Sequence, residues 1–353
     1  MDLSFLLLTI ISRLNGERTI YAGLHLFRGK RSGQTLQDVD YYSLKEFFCI
    51  LPKLTIETFD LAAEQLIKAG YISIDDDAVV HLTETGWGAL DNLPSYQFNG
   101  WDYRGREQLF FARLSLVVQT VSNFRVGQKS FMPLQRDYEI QLFVRSLLNG
   151  HPISDAGFSR QLRIELQQVI ENSRVRDIQK TILTHRLGGY DNTGWTWDQL
   201  AEKLTINPLT IRLYFIESLH MLLETIEQST TTPFMQKMSE NIKVTSYLTD
   251  SSTKTKALFE QGMSMEDIAM RRQLKMSTIE DHFVEMSIND TQFPVERFVS
   301  KKDMDAVVGR SIELGTKRLR LLKDNFPTLT YFQLRLILGS ESGGEAKWTS
   351  KRS

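Results

Sequence analysis

Gly29-Lys30 is the point at which this sequence comes nearest to a catalytic motif. A phosphate-cradling loop needs a glycine five residues before the second one, then lysine, then Ser or Thr to reach a magnesium ion. Leu24 stands at the first of those positions and Arg31 at the last, so the motif is not met. The six histidines, His25, His81, His151, His185, His220 and His282, stand far apart. None has the HExxH or paired spacing that sets two imidazoles on one zinc ion. The single cysteine, Cys49, lies among Phe47, Phe48, Ile50 and Leu51, where a thiol is a small buried hydrophobe rather than a nucleophile. One cysteine also excludes an internal disulfide framework and fits a reducing compartment. No serine elbow, paired-carboxylate set or dinucleotide glycine pattern is present. The expectation is a protein that is not an enzyme and needs neither cofactor nor metal.

What the sequence does offer is short cationic segments beside capped helices. Lys30 and Arg31 make a small patch, and Arg271, Arg272 and Lys275 precede a helix that Ser277 and Thr278 open. There, unsatisfied backbone N–H groups could hold a phosphate. Between Lys301 and Lys323 stand seven basic residues against three acidic ones, including Lys317, Arg318 and Arg320. These groups fit contact with a nucleic-acid backbone, which needs no base readout. Taken singly, each patch also fits an ordinary solvated face.

The elements that must position these residues are helix pairs. A helix carrying Ala257, Leu258 and Phe259 ends at Gly262; Ser264 then caps a helix with Ile268 and Ala269, and Asp267 stands three residues on. Leu274 closes a short turn before the helix of Ile279, His282 and Phe283, with Ser277 as its cap and Glu280 completing a capping box. Two helices joined so briefly, with small Ala269 at the crossing, read as a helix-turn-helix. A second candidate runs from Thr196, with Gln199 closing its box, through Ile206-Asn207 to a helix opened by Pro208. Near the N-terminus, a helix from Thr55 to Gly70 is followed by strand-like residues 71–74 and 79–83 around Asp75-Asp76-Asp77. That order is the order of a winged helix-turn-helix.

At Gly262-Met263-Ser264, Ile268-Ala269 and Ser277-Thr278-Ile279-Glu280-Asp281-His282 the chain resembles the helix-turn-helix domain at the C-terminus of some RecQ-type helicases. The stretch 312–338, ending Leu329-Thr330-Tyr331-Phe332-Gln333-Leu334-Arg335-Leu336, continues that resemblance. The string Phe27-Arg28-Gly29-Lys30-Arg31-Ser32-Gly33-Gln34-Thr35-Leu36-Gln37-Asp38 is similar to the YpbB-type proteins of Gram-positive bacteria. Those proteins carry the helicase-type domain on their own, typically encoded beside a RecQ-like helicase. The resemblance therefore implies a RecQ-like helicase as partner and carries over no catalytic residue.

Base reading by the C-terminal pair is not expected. From Ser277 to Met286 the second helix has no Arg, Lys or Asn and bears Glu280, Asp281 and Glu285. A carboxylate about 7 Å from a phosphate costs roughly 0.6 kcal/mol even at the dielectric of water. Three would offset about one good base contact, worth on the order of 1–3 kcal/mol. Those three acids suit a protein partner better. Base-reading donors are better supplied by the other pair, at Thr210 and Arg212.

The 353 residues carry 42 basic and 43 acidic side chains, net charge −1, with 41% hydrophobic and 24% charged content. That balance is ordinary for folded globular chains and argues against a protein that lives by gripping duplex phosphates. The apolar start, Met1 to Leu14, lacks a basic leader and is too short to span a bilayer, so it reads as a buried helix. The fold expected is mostly α. It comprises a winged helix-turn-helix domain over 1–95, a central helical domain over 104–228, a helicase-type helix-turn-helix domain over 240–339 and a disordered tail over 340–353. Residues 93–103 and 228–237 read as linkers, and apolar stripes at Phe110, Leu114, Val117, Val118, Val121 and at Tyr138, Leu142, Val144, Leu147, Leu148 as core. The function expected is that of a cytoplasmic, possible nucleoid-associated accessory of a RecQ-like helicase, with weak, structure-tolerant DNA contact. The alternatives are a sequence-specific transcription regulator and a purely structural scaffold.

Overall fold

Residues 2–93 and 95–341 are described in a computed structural model of the chain. Among them are nineteen α-helices and a single two-stranded hairpin. The N-terminal part holds α1 (Leu3–Leu14), α2 (Tyr21–Arg28), α3 (Gly33–Tyr41) and α4 (Ile56–Lys68), then β1 (Ile72–Ile74), β2 (Val80–Leu82) and α5 (Glu84–Leu90). Next come α6 (Gly100–Tyr103), α7 (Glu107–Arg125), α8 (Tyr138–Leu148), α9 (Ala156–Asn172) and α10 (Asp177–Arg186). They lead to α11 (Trp197–Leu204), α12 (Pro208–Gln228) and α13 (Pro233–Met238). The C-terminal part holds α14 (Asp250–Glu260), α15 (Met265–Arg272), α16 (Met276–Asn289), α17 (Lys301–Leu314), α18 (Leu319–Asn325) and α19 (Tyr331–Glu341). Of the tail expected over 340–353, the first two residues are helical and the rest lie outside the described residues.

Contacts group the chain into two compact units that cut across the boundary expected near residue 95. The first unit takes residues up to 7, 46–65 and 89–245; the second takes 8–45, 66–88 and everything described from 246 onward. The division passes inside α1 and inside α4.

In the first unit α7 packs on α8, α9 and α12, and α12 also packs on α10 and α11. Phe110, Leu114, Val117 and Val121 of α7 are buried there, with Val118 partly so. On α8 the buried residues are Ile140, Val144 and Leu148, one per turn, while Tyr138 and Leu142 face out. Asp137 caps α8 through Glu139 N and Ile140 N, and this fixes a phase that the expected stripe missed. Neither expected linker is a solvated connection. Residues 97–103 form a strap on α12, where Glu217 accepts from Gln97 N (2.9 Å) and His220 Nδ1 from Asn99 N (2.9 Å). The strap buries Phe98, Trp101 and Tyr103. Likewise Glu165 of α9, 2% exposed, accepts from Phe234 N and Met235 N and so caps α13.

The second unit contains the expected hairpin, in register Ile72↔Leu82, Ser73↔His81 and Ile74↔Val80. Asp75 makes its turn by accepting from Asp77 N (3.0 Å) and Val79 N (2.8 Å). Residues 33–41 are helical, with Ser32 capping them by accepting from Thr35 N. The C-terminal helices build two adjoining cores, one around Ile268, Ile279, Phe283 and Met286, the other around Val307, Leu322, Leu334 and Ile337.

Candidate nucleic-acid interface

Helices α14, α15 and α16 form the expected helix-turn-helix. Ser264 caps α15 by accepting from Asp267 N (3.1 Å) and donating to Asp267 Oδ2 (2.7 Å). Gln273 ends α15 in the left-handed region, φ 53°, and Leu274 N closes the turn on Ala269 O (3.0 Å). Rings of Phe259, Phe283, Phe293 and Phe298 pack together beneath the corner.

The second helix differs from the sequence reading at its start. α16 begins at Met276 with Lys275 in the capping position, and the Lys275 side chain makes no capping hydrogen bond. The capping box of Ser277 and Glu280 does not form, because the left-handed Gln273 lets the chain turn within two residues, and Ser277 is already inside the helix. The preference of serine for caps misplaced the start. From His282 to Ile288 every residue of α16 is buried, packed against α14, α15, α19 and α3. Apart from half-buried Asn289 at its end, only the opening turns are open to solvent, and the N-terminal residues of such a helix are the ones that approach DNA.

At that opening stand exposed Arg271, Lys275 and Ser277 with half-buried Thr278. Arg272 does not join them. Its guanidinium turns inward, Nη1 to Ser251 O (2.8 Å) and to Thr255 Oγ1, Nη2 to Ser251 Oγ (3.0 Å). The start of α3 stands against the same turn: a Cβ on Gly33 would lie 3.0 Å from Asp281 Oδ1 and 3.2 Å from Arg335 Nη2. That contact sets the start of α3, with exposed Lys30 and Arg31 three and two residues upstream, against α16, an adjacency that distance in sequence hides. Of the later basic stretch, Arg320 is exposed, but Lys317 Nζ donates to Tyr41 O (2.9 Å) and Arg318 Nη2 to Gly16 O (2.6 Å). Lys317 and Arg318 therefore hold the fold together rather than offering charge. Burial also lowers the pKa of Lys317.

The three acids expected to meet a partner separate. Glu280 is half-buried, and Asp281 accepts from Arg335 Nη2, a pairing not foreseen from sequence. Glu285 is 6% exposed and reaches no partner surface; its oxygens accept from Thr249 N, Thr249 Oγ1 and Ser252 Oγ at the start of α14. Glu285 is thus a helix cap supplied from another helix, favoured by the positive end of α14.

His282, also buried, sits with Nδ1 2.8 Å from Thr255 Oγ1. Burial first, and the neighbouring Arg272 second, push its pKa below the usual imidazole value. The unfolded chain therefore binds this proton more readily. The stabilisation is fully present above the ordinary histidine range near 6.5 and is lost as pH falls through it toward the lowered folded value. Urea denaturation of the full chain should show lower stability at pH 5 than at pH 7.5, with a smaller difference in His282→Asn. An unchanged difference in that variant would assign the effect to other groups.

The first unit repeats the same corner. Thr196 and Gln199 form a complete capping box on α11, Thr205 ends it at φ 54°, and Ile206 N closes on Ala201 O (3.1 Å). Asn207 caps α12 through Leu209 N, with Pro208 at its first turn. At one constant offset Leu200, Ala201, Ile211 and Phe215 match Ile268, Ala269, Ile279 and Phe283. The matched Leu, Ile and Phe side chains are all buried. Thr210 is half-buried and Arg212 exposed on the open turns of α12.

Among the described residues no cluster of His, Cys, Asp and Glu could hold a metal ion, and no helix is long and apolar enough to cross a membrane. Residues 251–338 match the model of a helix-turn-helix domain family. Over 94% of its length the chain is 25% identical to the protein YpbB of Bacillus subtilis (strain 168), and the match covers 96% of that protein. No solved structure matches the chain.

Proposed function

We propose that this protein is a non-enzymatic DNA-contacting accessory of a RecQ-like helicase, acting in the cytoplasm at the nucleoid, in DNA repair or related DNA processing. The observation that carries the reading is the opening of α16. Its first-turn N–H groups, Ser277, Thr278 and the exposed cations Arg271 and Lys275 offer donors to a phosphate, while the helix from His282 to Ile288 is core. Glu280 and Asp281 on the same turn disfavour insertion into a groove and suit a basic protein surface. Weak, structure-tolerant backbone contact is what such a site supplies. The helicase partner rests on the resemblance of residues 253–283 and 312–338 to the domain at RecQ-type C-termini.

The double variant Arg271→Glu/Lys275→Glu should bind fluorescein-labelled forked DNA at least about tenfold more weakly, whatever its sequence. The salt dependence of log K should become shallower by about 2. Binding unchanged by both reversals would remove the DNA contact. For the helicase arm, the purified RecQ-like helicase should co-elute with the protein after nuclease treatment and unwind forks faster in its presence; neither effect would refute the accessory role. A sequence-specific regulator is favoured by exposed Arg212 with Thr210, and would show itself as one DNA sequence retained against excess random duplex.

A further inference from the structure

The two helix-turn-helix units are alike in backbone and core, but they differ in charge at equivalent places. Where α16 has Glu280, α12 has Arg212, and where α15 has Met265, α11 has Trp197. The Arg212 guanidinium lies 5.6 Å from the centre of the Trp197 ring, and that of Arg186, from the end of α10, lies 4.1 Å from the same ring. Phe215 meets that indole edge-on at 5.1 Å, which fixes its plane.

Two guanidiniums gathered on one indole need a reason. Stacking favours each of them, but they repel each other, and burial first, with Arg212 second, lowers the pKa of Arg186. Among the described residues, the ion pairs of this unit involve Arg176, Lys180, Lys243 and the His220–Glu107 pair, and neither of these two arginines. Arg186 Nη1 donates to Trp195 O, but its Nε is buried without an acceptor. A buried unsatisfied donor beside a second uncompensated cation, at the open turns of a helix-turn-helix, is a place built for an anion.

We infer that Arg186 and Arg212, held by Trp197, form a second nucleic-acid contact, a clamp for one backbone phosphodiester. It rests on the reading that the protein contacts DNA, but it uses none of the cations at the opening of α16. Guanidiniums match phosphate oxygens by geometry as well as charge, so lysine is a poor substitute. The contact ignores base identity, since phosphate carries none.

The test is fluorescence anisotropy on the full chain with labelled single-stranded and forked DNA, over a range of salt. Arg212→Gln changes an exposed side chain and should leave the melting temperature unchanged while weakening binding roughly fivefold to tenfold, independent of sequence. Arg212→Lys should recover only part of that loss, and Arg186→Gln/Arg212→Gln should flatten the salt slope by about 1, as expected for one phosphate. Full affinity in Arg212→Gln would overturn the clamp. If Arg271→Glu/Lys275→Glu loses binding and Arg212→Gln does not, DNA contact stands and the clamp falls. The reverse pattern keeps the clamp and removes the α16 opening. Inorganic phosphate is then added against chloride of equal ionic strength. Phosphate binding that Arg212→Gln abolishes, without displacement of DNA from the wild type, would mean that the arginines take a free phosphate, which would overturn the nucleic-acid assignment.

Discussion

Glu217→Ala is expected to destabilise the first unit by about 3–5 kcal/mol, the largest effect of any single change considered for this chain. The side chain is 1% exposed. One carboxylate oxygen accepts from Gln97 N at 2.9 Å; the other accepts from Gln179 Nε2 at 2.7 Å and from Arg176 Nη2. Truncation removes the acceptor of the Gln97 N–H, on an exposed residue, and leaves the buried Gln179 amide only Tyr214 O at 3.3 Å, a weakened bond that costs about 1–3 kcal/mol. Arg176, 44% exposed, can turn to water and adds little. A cavity where the carboxylate stood adds to the cost. In a unit of this size each kcal/mol shifts the midpoint by about 2–4 °C, so a thermal melt should fall by roughly 10 °C. Glu217→Gln keeps the shape but turns an amide N–H toward another donor, and should fall in between. A loss below about 1 kcal/mol for the alanine variant would mean that the strap at 97–103 is held by its aromatic side chains alone.

In the second unit the corresponding expectation is a loss of about 3 kcal/mol for Glu285→Ala. Thr249 N and Ser252 Oγ would lose their acceptor, and the start of α14 would lose a negative charge beside its positive end. Glu280→Ala, on the half-exposed side of the same helix, should cost under about 0.5 kcal/mol. Denaturant midpoints of the two variants, measured side by side, decide the matter. Equal, small losses would return Glu285 to the surface. The contrast also guides any docking experiment, because reduced partner binding by a Glu285 variant would report a loosened fold. Glu280 and Asp281 are the acids through which a partner surface can be tested.

What was legible in the sequence was local. Ser264 with Asp267, Thr196 with Gln199, and Pro208 at a first turn were readable because a cap and the N–H that donates to it sit within four residues. The hairpin was readable because Asp75 builds its own turn. What was not legible depends on partners far along the chain. Arg272, Lys317 and Arg318 are cations in sequence and struts in space, since their acceptors are carbonyls of Ser251, Tyr41 and Gly16. The stretches read as linkers contained a warning: Phe98, Trp101, Tyr103 and Phe234 are poor company for water, and each is buried. The clamp could have been sought from Trp197 and Arg212 alone, but Arg186 enters only through the fold. Likewise, nothing local places Gly33, at the start of α3, against Asp281 of α16.

The burial of α16 beyond its first turns has a kinetic consequence. A recognition element on the rim of a domain can fray, so part of its encounter energy goes into ordering it; this one is continuous with the core and cannot loosen unless the core does. Its backbone amides from His282 onward should exchange with deuterium only through opening of the whole unit, and bound DNA should change them little. The opening turn then meets its ligand already arranged. Association should be fast and set by ionic strength, and release, with few contacts to undo, should be fast as well. A contact of that kind suits brief, repeated binding rather than long residence.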